Sequence, residues 1–269
     1  MTSREDDTDL GSISTEVRDH ILLIGLDRPA KYNGLTPPMM DQLIEAYTTL
    51  DQEPDLWVGV VFGHGDHFTA GLDLPRWTAD MEVGASGGRE GQAARVDPMA
   101  LGRSCAKPVM VAVQGITFTF GIELMLGGDI VVAADNCRFS QLEPKRGIHA
   151  TGGATMRFVE RGGWGNAMYH LLTSDEFDAA EAYRIGLVQE VVPAGTELDR
   201  ALALADVICQ GAPLAVQATK ASSRRYLLEG HDAARAAFAP TQAELATTQD
   251  YREGIASFVD RRAARFTGR

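Results

Sequence analysis

Continuous apolar runs dominate the first half of the chain: Ile21-Leu22-Leu23-Ile24-Gly25-Leu26, Trp57-Val58-Gly59-Val60-Val61-Phe62, Val109 to Val113 and Ile130 to Ala134. Runs without polar alternation suit strands of a sheet covered on both faces. Residues 13–26 read as two short strands around Arg18-Asp19-His20. Pro37-Pro38 opens a helix to about Leu50, with Thr36 as its N-cap, and Gly121 to Gly128 is a short helix between two strands. This alternation predicts an α/β body over 13–197. Beyond Glu197 the pattern turns helical, over 198–210, 213–229, 233–246 and 251–265, with Gly211-Ala212-Pro213 and Gly230 as breaks. Residues 1–12 read as a disordered acidic tail. Residues 81–97 mix glycine with charge over a length used for active-site lids, or for a plain disordered insertion.

Composition narrows the class. The 269 residues are 45% apolar and 23% charged, as in a soluble globular protein with a sizeable core. Lys plus Arg number 25 against 37 Asp plus Glu, and the net charge of −12 argues against a general binder of nucleic acid or anionic membrane. Five arginines between 252 and 269 form a local exception, suited to an anionic ligand or a solvated helix face. Cys105, Cys137 and Cys209 are far apart and lack C-x-x-C spacing, so neither a disulfide framework nor a zinc site is expected and a cytoplasmic location is. No secretory signal or membrane-spanning run is read. His64 and His67 have metal-like spacing without a third ligand nearby, which favours a loop role, and no metal is expected. Neither a G-x-S-x-G elbow nor a phosphate-binding loop is present.

Candidate chemistry rests on Glu123 and Glu143. Each lies in a glycine-punctuated segment after an apolar strand-like run. A glutamate in such company is unfavourable unless paired, exposed in a cleft or used, because burial disfavours its charged form. Two converging on one pocket make an acid/base pair able to work near neutral pH. The bland alternatives are a glutamate complementing a helix dipole at 123 and a turn residue before Pro144 at 143.

A third segment, Phe68-Thr69-Ala70-Gly71-Leu72-Asp73-Leu74, is by itself a glycine-rich turn. In order with Leu26-Asp27-Arg28-Pro29-Ala30-Lys31-Tyr32-Asn33-Gly34-Leu35, the two glutamate segments, Phe177 to Ala182, Gly186-Leu187-Val188 and Val191-Val192-Pro193, it resembles the crotonase (enoyl-CoA hydratase/isomerase) superfamily from about residue 17 to 269. The resemblance implies a spiral of ββα units followed, over 198–269, by helices supporting a homotrimer, or a hexamer of two trimers. It implies an acyl-CoA thioester as substrate, with CoA part of that substrate and no cofactor. By the same resemblance, the backbone N–H groups of Leu72 and Phe120 are expected to form an oxyanion hole, Glu123 to handle the attacking water and Glu143 to donate a proton to Cα. Ala70, Gly71, Asp73, Gly121, His149 and Gly152 are the matching substrate-binding positions. The implied reaction is syn hydration of a 2-enoyl-CoA to a 3-hydroxyacyl-CoA. Isomerisation, another crotonase-type hydrolysis or lyase reaction, and non-catalytic acyl-CoA binding are the alternatives.

Two departures from the family pattern stand out. Thr119-Phe120-Gly121 replaces a run of glycines, so a positive φ at Phe120 would be strained, and otherwise its side chain reshapes the acyl pocket. At 148–153 the usual proline-glycine pair is missing, and His149 is new, as a titrating pocket residue or a hydrogen-bonded structural one.

Overall fold

The computed structural model describes residues 9–82 and 94–269. The long apolar runs become the strands of one sheet: β1 (Ser12–Arg18), β2 (Ile21–Asp27), β3 (Val58–Gly63), β4 (Val109–Val113), β6 (Ile130–Ala134) and β9 (Glu190–Val192), in the spatial order β1-β2-β3-β4-β6-β9. β1 and β2 are antiparallel and the remaining neighbours parallel. Side chains alternate across the sheet as the strand period of two requires. Val109, Val111 and Val113 join the main core with Leu22, Ile24 and Leu26, whereas Met110 and Ala112 join a second core with Ile21, Leu23 and Val60. Apolar layers on both faces explain why these strands read as unbroken hydrophobic runs.

A smaller sheet, β5 (Ile116–Phe118), β7 (Arg138–Ser140) and β8 (Phe177–Asp178), lies in the order β5-β7-β8. Each long central strand is followed by a short segment in or beside this second sheet and then by a helix or turn. β3 leads to Thr69, which bridges in parallel to Thr117, and then to α2 (Leu74–Glu82). β4 leads to β5 and α3 (Phe120–Gly127); β6 leads to β7 and a 3₁₀ turn at Glu143–Arg146. These repeats are the turns of the expected ββα spiral.

Several boundaries differ from the pattern-based expectations. Residues 9–12 are held rather than loose, since Thr36 Oγ1 donates to the Leu10 carbonyl (2.6 Å), Arg28 Nε donates to the Asp9 carbonyl (3.1 Å) and Ser12 opens β1. Residues 1–8 and 83–93, hence most of the expected tail and lid, lie outside the described residues. α1 (Pro37–Gln52) starts as expected, with Thr36 Oγ1 accepting from Met39 N–H (3.4 Å). α4 (Ala154–Thr173) is hidden from the helical pattern by its glycines, and Gly163 breaks it with φ 75° and ψ 163°. After α5 (Ala179–Arg184), α6 (Glu197–Cys209) buries Ala201 and Ala205 against the second core, so this helix belongs to the body. α7 (Pro213–Glu229), α8 (His231–Leu245) and α9 (Gln249–Asp260) follow. α9 stops short of 265 because Arg261 turns left-handed (φ 54°), so Arg261, Arg262 and Arg265 are not on the final helix; Arg262 instead pairs with Glu253 (2.6 Å).

Candidate active site

Two successive turns of the spiral meet along the small sheet. Thr69 N–H donates to the Ile116 carbonyl (3.1 Å) and Phe118 N–H to the Thr69 carbonyl (3.0 Å), so the 69–72 segment runs beside β5. Its far side is fixed by Leu35 N–H donating to the Gly71 carbonyl (2.9 Å) and Asp73 N–H to the Leu35 carbonyl (2.8 Å). The Leu72 N–H between them donates to no acceptor among the described residues. The same holds for the Phe120 N–H at the first position of α3. Two uncommitted donors thus stand on adjoining segments, one of them in the positive end of a helix dipole.

Phe120 does not adopt a positive φ, and the strained residue is its predecessor. Thr119 has φ 51° and ψ −117°, a region that disfavours a β-branched residue by about 1–3 kcal/mol. Its carbonyl accepts from Ile122 N–H (2.9 Å) and Glu123 N–H (3.2 Å), while its own N–H donates to the Ser140 carbonyl (2.9 Å). Those three bonds hold the unfavourable conformation. The Phe120 side chain, 4% exposed, packs into the main core instead of reshaping an open pocket. Gly121 makes room beneath, since a Cβ there would lie 2.7 Å from Thr69 Cγ2.

Glu123, on the first turn of α3, is 5% exposed, and Glu143, opening the 3₁₀ turn after β7, is 7% exposed. Glu123 Oε1 accepts from Ala154 N–H (3.3 Å) at the start of α4, and Gly152 is in such close contact that a Cβ on it would lie 2.6 Å from Oε2. Burial pushes the Glu123 carboxyl above its ordinary range, against the opposing pull of the α4 backbone N–H groups, Arg157 and His149. Glu143 is pushed up to about 7, chiefly by burial and to a lesser degree by the Glu123 charge. Its buried Oε2 makes no hydrogen bond among the described residues. Glu123 is therefore better suited to hold the anion, and Glu143 the proton.

The remaining expected positions divide by role. Ala70 N–H donates to the Tyr32 carbonyl (2.9 Å) and fixes the loop. The Asp73 carboxylate is taken up by Arg28 Nη1 (2.9 Å) and Arg76 Nε (3.2 Å), so it anchors the donor-bearing loop and is not a free ligand group. His149 is exposed, contributes to the electrostatics of Glu123, and its ring makes no hydrogen bond among the described residues. His64 contacts Ser14 Oγ (2.7 Å) and His67 Nδ1 accepts from Ile116 N–H (3.1 Å), both in loop-holding roles. Among the described residues, no three His, Cys, Asp or Glu side chains are grouped to hold a metal.

Arg157 was not legible beforehand. It donates to the Gly152 carbonyl (3.1 Å) and to the Met99 carbonyl, fixing the turn that presses on Glu123. Arg157 and Arg161 recur one helical turn apart in a glycine-rich stretch, and that spacing is the only trace they leave in the sequence.

Comparison with known proteins agrees with this geometry. The family model described as Enoyl-CoA hydratase/isomerase matches residues 16–269. Enoyl-CoA hydratase EchA19 of Mycobacterium tuberculosis is 33% identical over 94% of this chain and 96% of its own length. The 2,3-dehydroadipyl-CoA hydratase of Escherichia coli is 32% identical over 94% of this chain and 97% of its own. The crystal structure of a probable enoyl-CoA hydratase/isomerase from Mycobacterium abscessus superimposes with a TM-score of 0.91 at 44% identity, covering 96% of this chain and 99% of that one. A family model matched over residues 16–269 and relatives above 30% identity along almost their whole length show that the chain belongs to the enoyl-CoA hydratase/isomerase family.

Proposed function

We propose that the protein is an enoyl-CoA hydratase that adds water syn across the double bond of a 2-enoyl-CoA. The observation that carries this is the burial of both Glu123 and Glu143, with Glu143 pushed up to about 7 and the Glu123 carboxylate held by the Ala154 N–H at the start of α4. The thioester oxygen accepts from the Leu72 and Phe120 N–H groups. Ionised Glu123 removes a proton from water as its oxygen bonds to Cβ. The π electrons move toward Cα, and negative charge gathers on the thioester oxygen. Losing one such donor typically costs about 3–4 kcal/mol of transition-state stabilisation. Protonated Glu143 then delivers its proton to Cα, the 3-hydroxyacyl-CoA leaves, and the proton taken up by Glu123 returns to Glu143 through the next water to enter. The groups named are the protein's own, and CoA enters as part of the substrate. An isomerase that needs one carboxylate leaves the second buried glutamate without a task.

The reading extends to assembly and location. Exposed apolar side chains on α7–α9, among them Leu227, Leu228, Phe238, Phe258 and Val259, support a homotrimer or a hexamer of two trimers. Cys105, Cys137 and Cys209 are all unpaired, which supports a reducing compartment such as the cytoplasm, where the reaction would serve acyl-CoA turnover.

The test is hydration of crotonyl-CoA and of a longer 2-enoyl-CoA, followed by loss of the conjugated enoyl absorbance. Glu123→Gln and Glu143→Gln should each lower kcat by at least ~100-fold, the lower range for a lost general acid or base, while CoA-ester binding persists. Binding without turnover by the unaltered protein would defeat the proposal.

A further inference from the structure

Thr119 stands where the two proposed oxyanion donors come together. It directly precedes Phe120. Its side chain also lies over Gly71, which directly precedes Leu72: a Cβ built on Gly71 would fall 1.9 Å from Thr119 Oγ1 and 3.3 Å from Thr119 Cβ. Gly71 has φ 105°, which removes a steric and a conformational route to any other residue there. One side chain therefore fills the seam between the two donor-bearing segments.

The conformation of Thr119 gives this contact weight. A β-branched residue at φ 51° and ψ −117° is unfavourable, and glycine would adopt the same backbone without strain. The three backbone bonds that hold the conformation do not require a side chain. A strained residue kept beside reacting groups points to a use for its side chain. Thr119 is only half-buried, so filling of the core does not supply that use.

We infer that Thr119 is a positioning residue for the oxyanion hole, its Oγ1 wedged against Gly71 so that the Leu72 and Phe120 N–H groups keep a fixed separation. This rests on the hydratase reading for the identity of the substrate. The wedge acts through two backbone donors, and small displacements of such donors weaken polarisation of a carbonyl group. Removing the side chain lets the 69–72 segment and the start of α3 relax toward each other. The ground-state complex then changes little while the transition state loses stabilisation.

The experiment compares Thr119→Gly, Thr119→Ala and Thr119→Ser in the full-length protein. Three quantities are read: kcat and KM for crotonyl-CoA, the shift in absorbance maximum of cinnamoyl-CoA on binding, and Tm. Thr119→Gly should raise Tm by relieving strain, yet lower kcat about tenfold with KM within about threefold. Thr119→Ala should lower kcat similarly, and both should diminish the cinnamoyl-CoA shift, which reports polarisation of the thioester. Thr119→Ser keeps the oxygen at the seam and should retain kcat within twofold and the full shift. An unchanged shift in the glycine and alanine variants overturns the inference, even if the unaltered protein proves to have no hydratase activity. Loss of kcat in the serine variant equal to that in alanine overturns it as well.

Discussion

Glu143 sits where its proton is favoured and its charge is not. Its carboxyl titrates at about 7 in the folded chain against an ordinary 4.5, so the native state binds this proton more tightly than the unfolded chain does. The stability that follows is fully present below about pH 4.5 and is lost as the pH rises through about 7. Glu143→Gln should therefore gain on the unaltered protein between pH 5 and pH 8, by roughly 1–3 kcal/mol in urea unfolding. A difference that stays constant across that interval would exclude a protonated Glu143. In the enzyme, the same sign requires kcat to fall above about pH 7, as the proton donor is lost. Both glutamates were legible because carboxylates are rare in apolar strand-following segments. Arg157 was not, because an arginine near the start of a helix is ordinary until its acceptors, the Gly152 and Met99 carbonyls, are known.

α3 is an eight-residue helix with a task at each end. Its N-terminus presents the Phe120 N–H, and its C-terminus runs into Arg161, whose Nη2 donates to the carbonyls of Leu126 (3.1 Å) and Gly128 (3.0 Å). A half-buried cation there complements the helix dipole and satisfies carbonyls that a short helix leaves without partners. Arg161→Met should cost about 2–3 kcal/mol in equilibrium unfolding, because charged hydrogen bonds are lost and the carbonyls remain buried. A loss below roughly 0.5 kcal/mol would show that Arg161 is not a cap. The strands of the larger sheet and α1 could be read from the sequence because burial on both faces and a threonine-proline start write themselves into the residue pattern. α4 could not, since Gly162, Gly163 and Gly165 contradict a helix locally, and packing of Phe158, Ala167 and Leu171 in the main core overrides that preference.

On the scale of the molecule, α7–α9 carry a run of exposed apolar side chains. Phe258 is 85% exposed, Val259 71% and Leu228 70%, values unfavourable for a chain remaining alone in water. Sedimentation should give a mass three or six times the 29.0 kDa of one chain, and Phe258→Asp should shift the population toward single chains. A monomer at micromolar concentration would argue against the proposed assembly. Helical periodicity begins at 198, but periodicity cannot reveal that α6 docks on the sheet, and only tertiary packing assigns α6 to the body. The Thr69–Thr117 bridge has a wider consequence. It joins two turns of one winding, and in the proposed mechanism each contributes one electrophilic donor, so that chemistry requires consecutive coils to close on each other. Fragments ending before residue 116 would lack half of the cradle, whereas a mutation confined to one coil can retune reactivity and leave its neighbour's architecture intact. Inheritance of new acyl preferences can thus proceed one coil at a time.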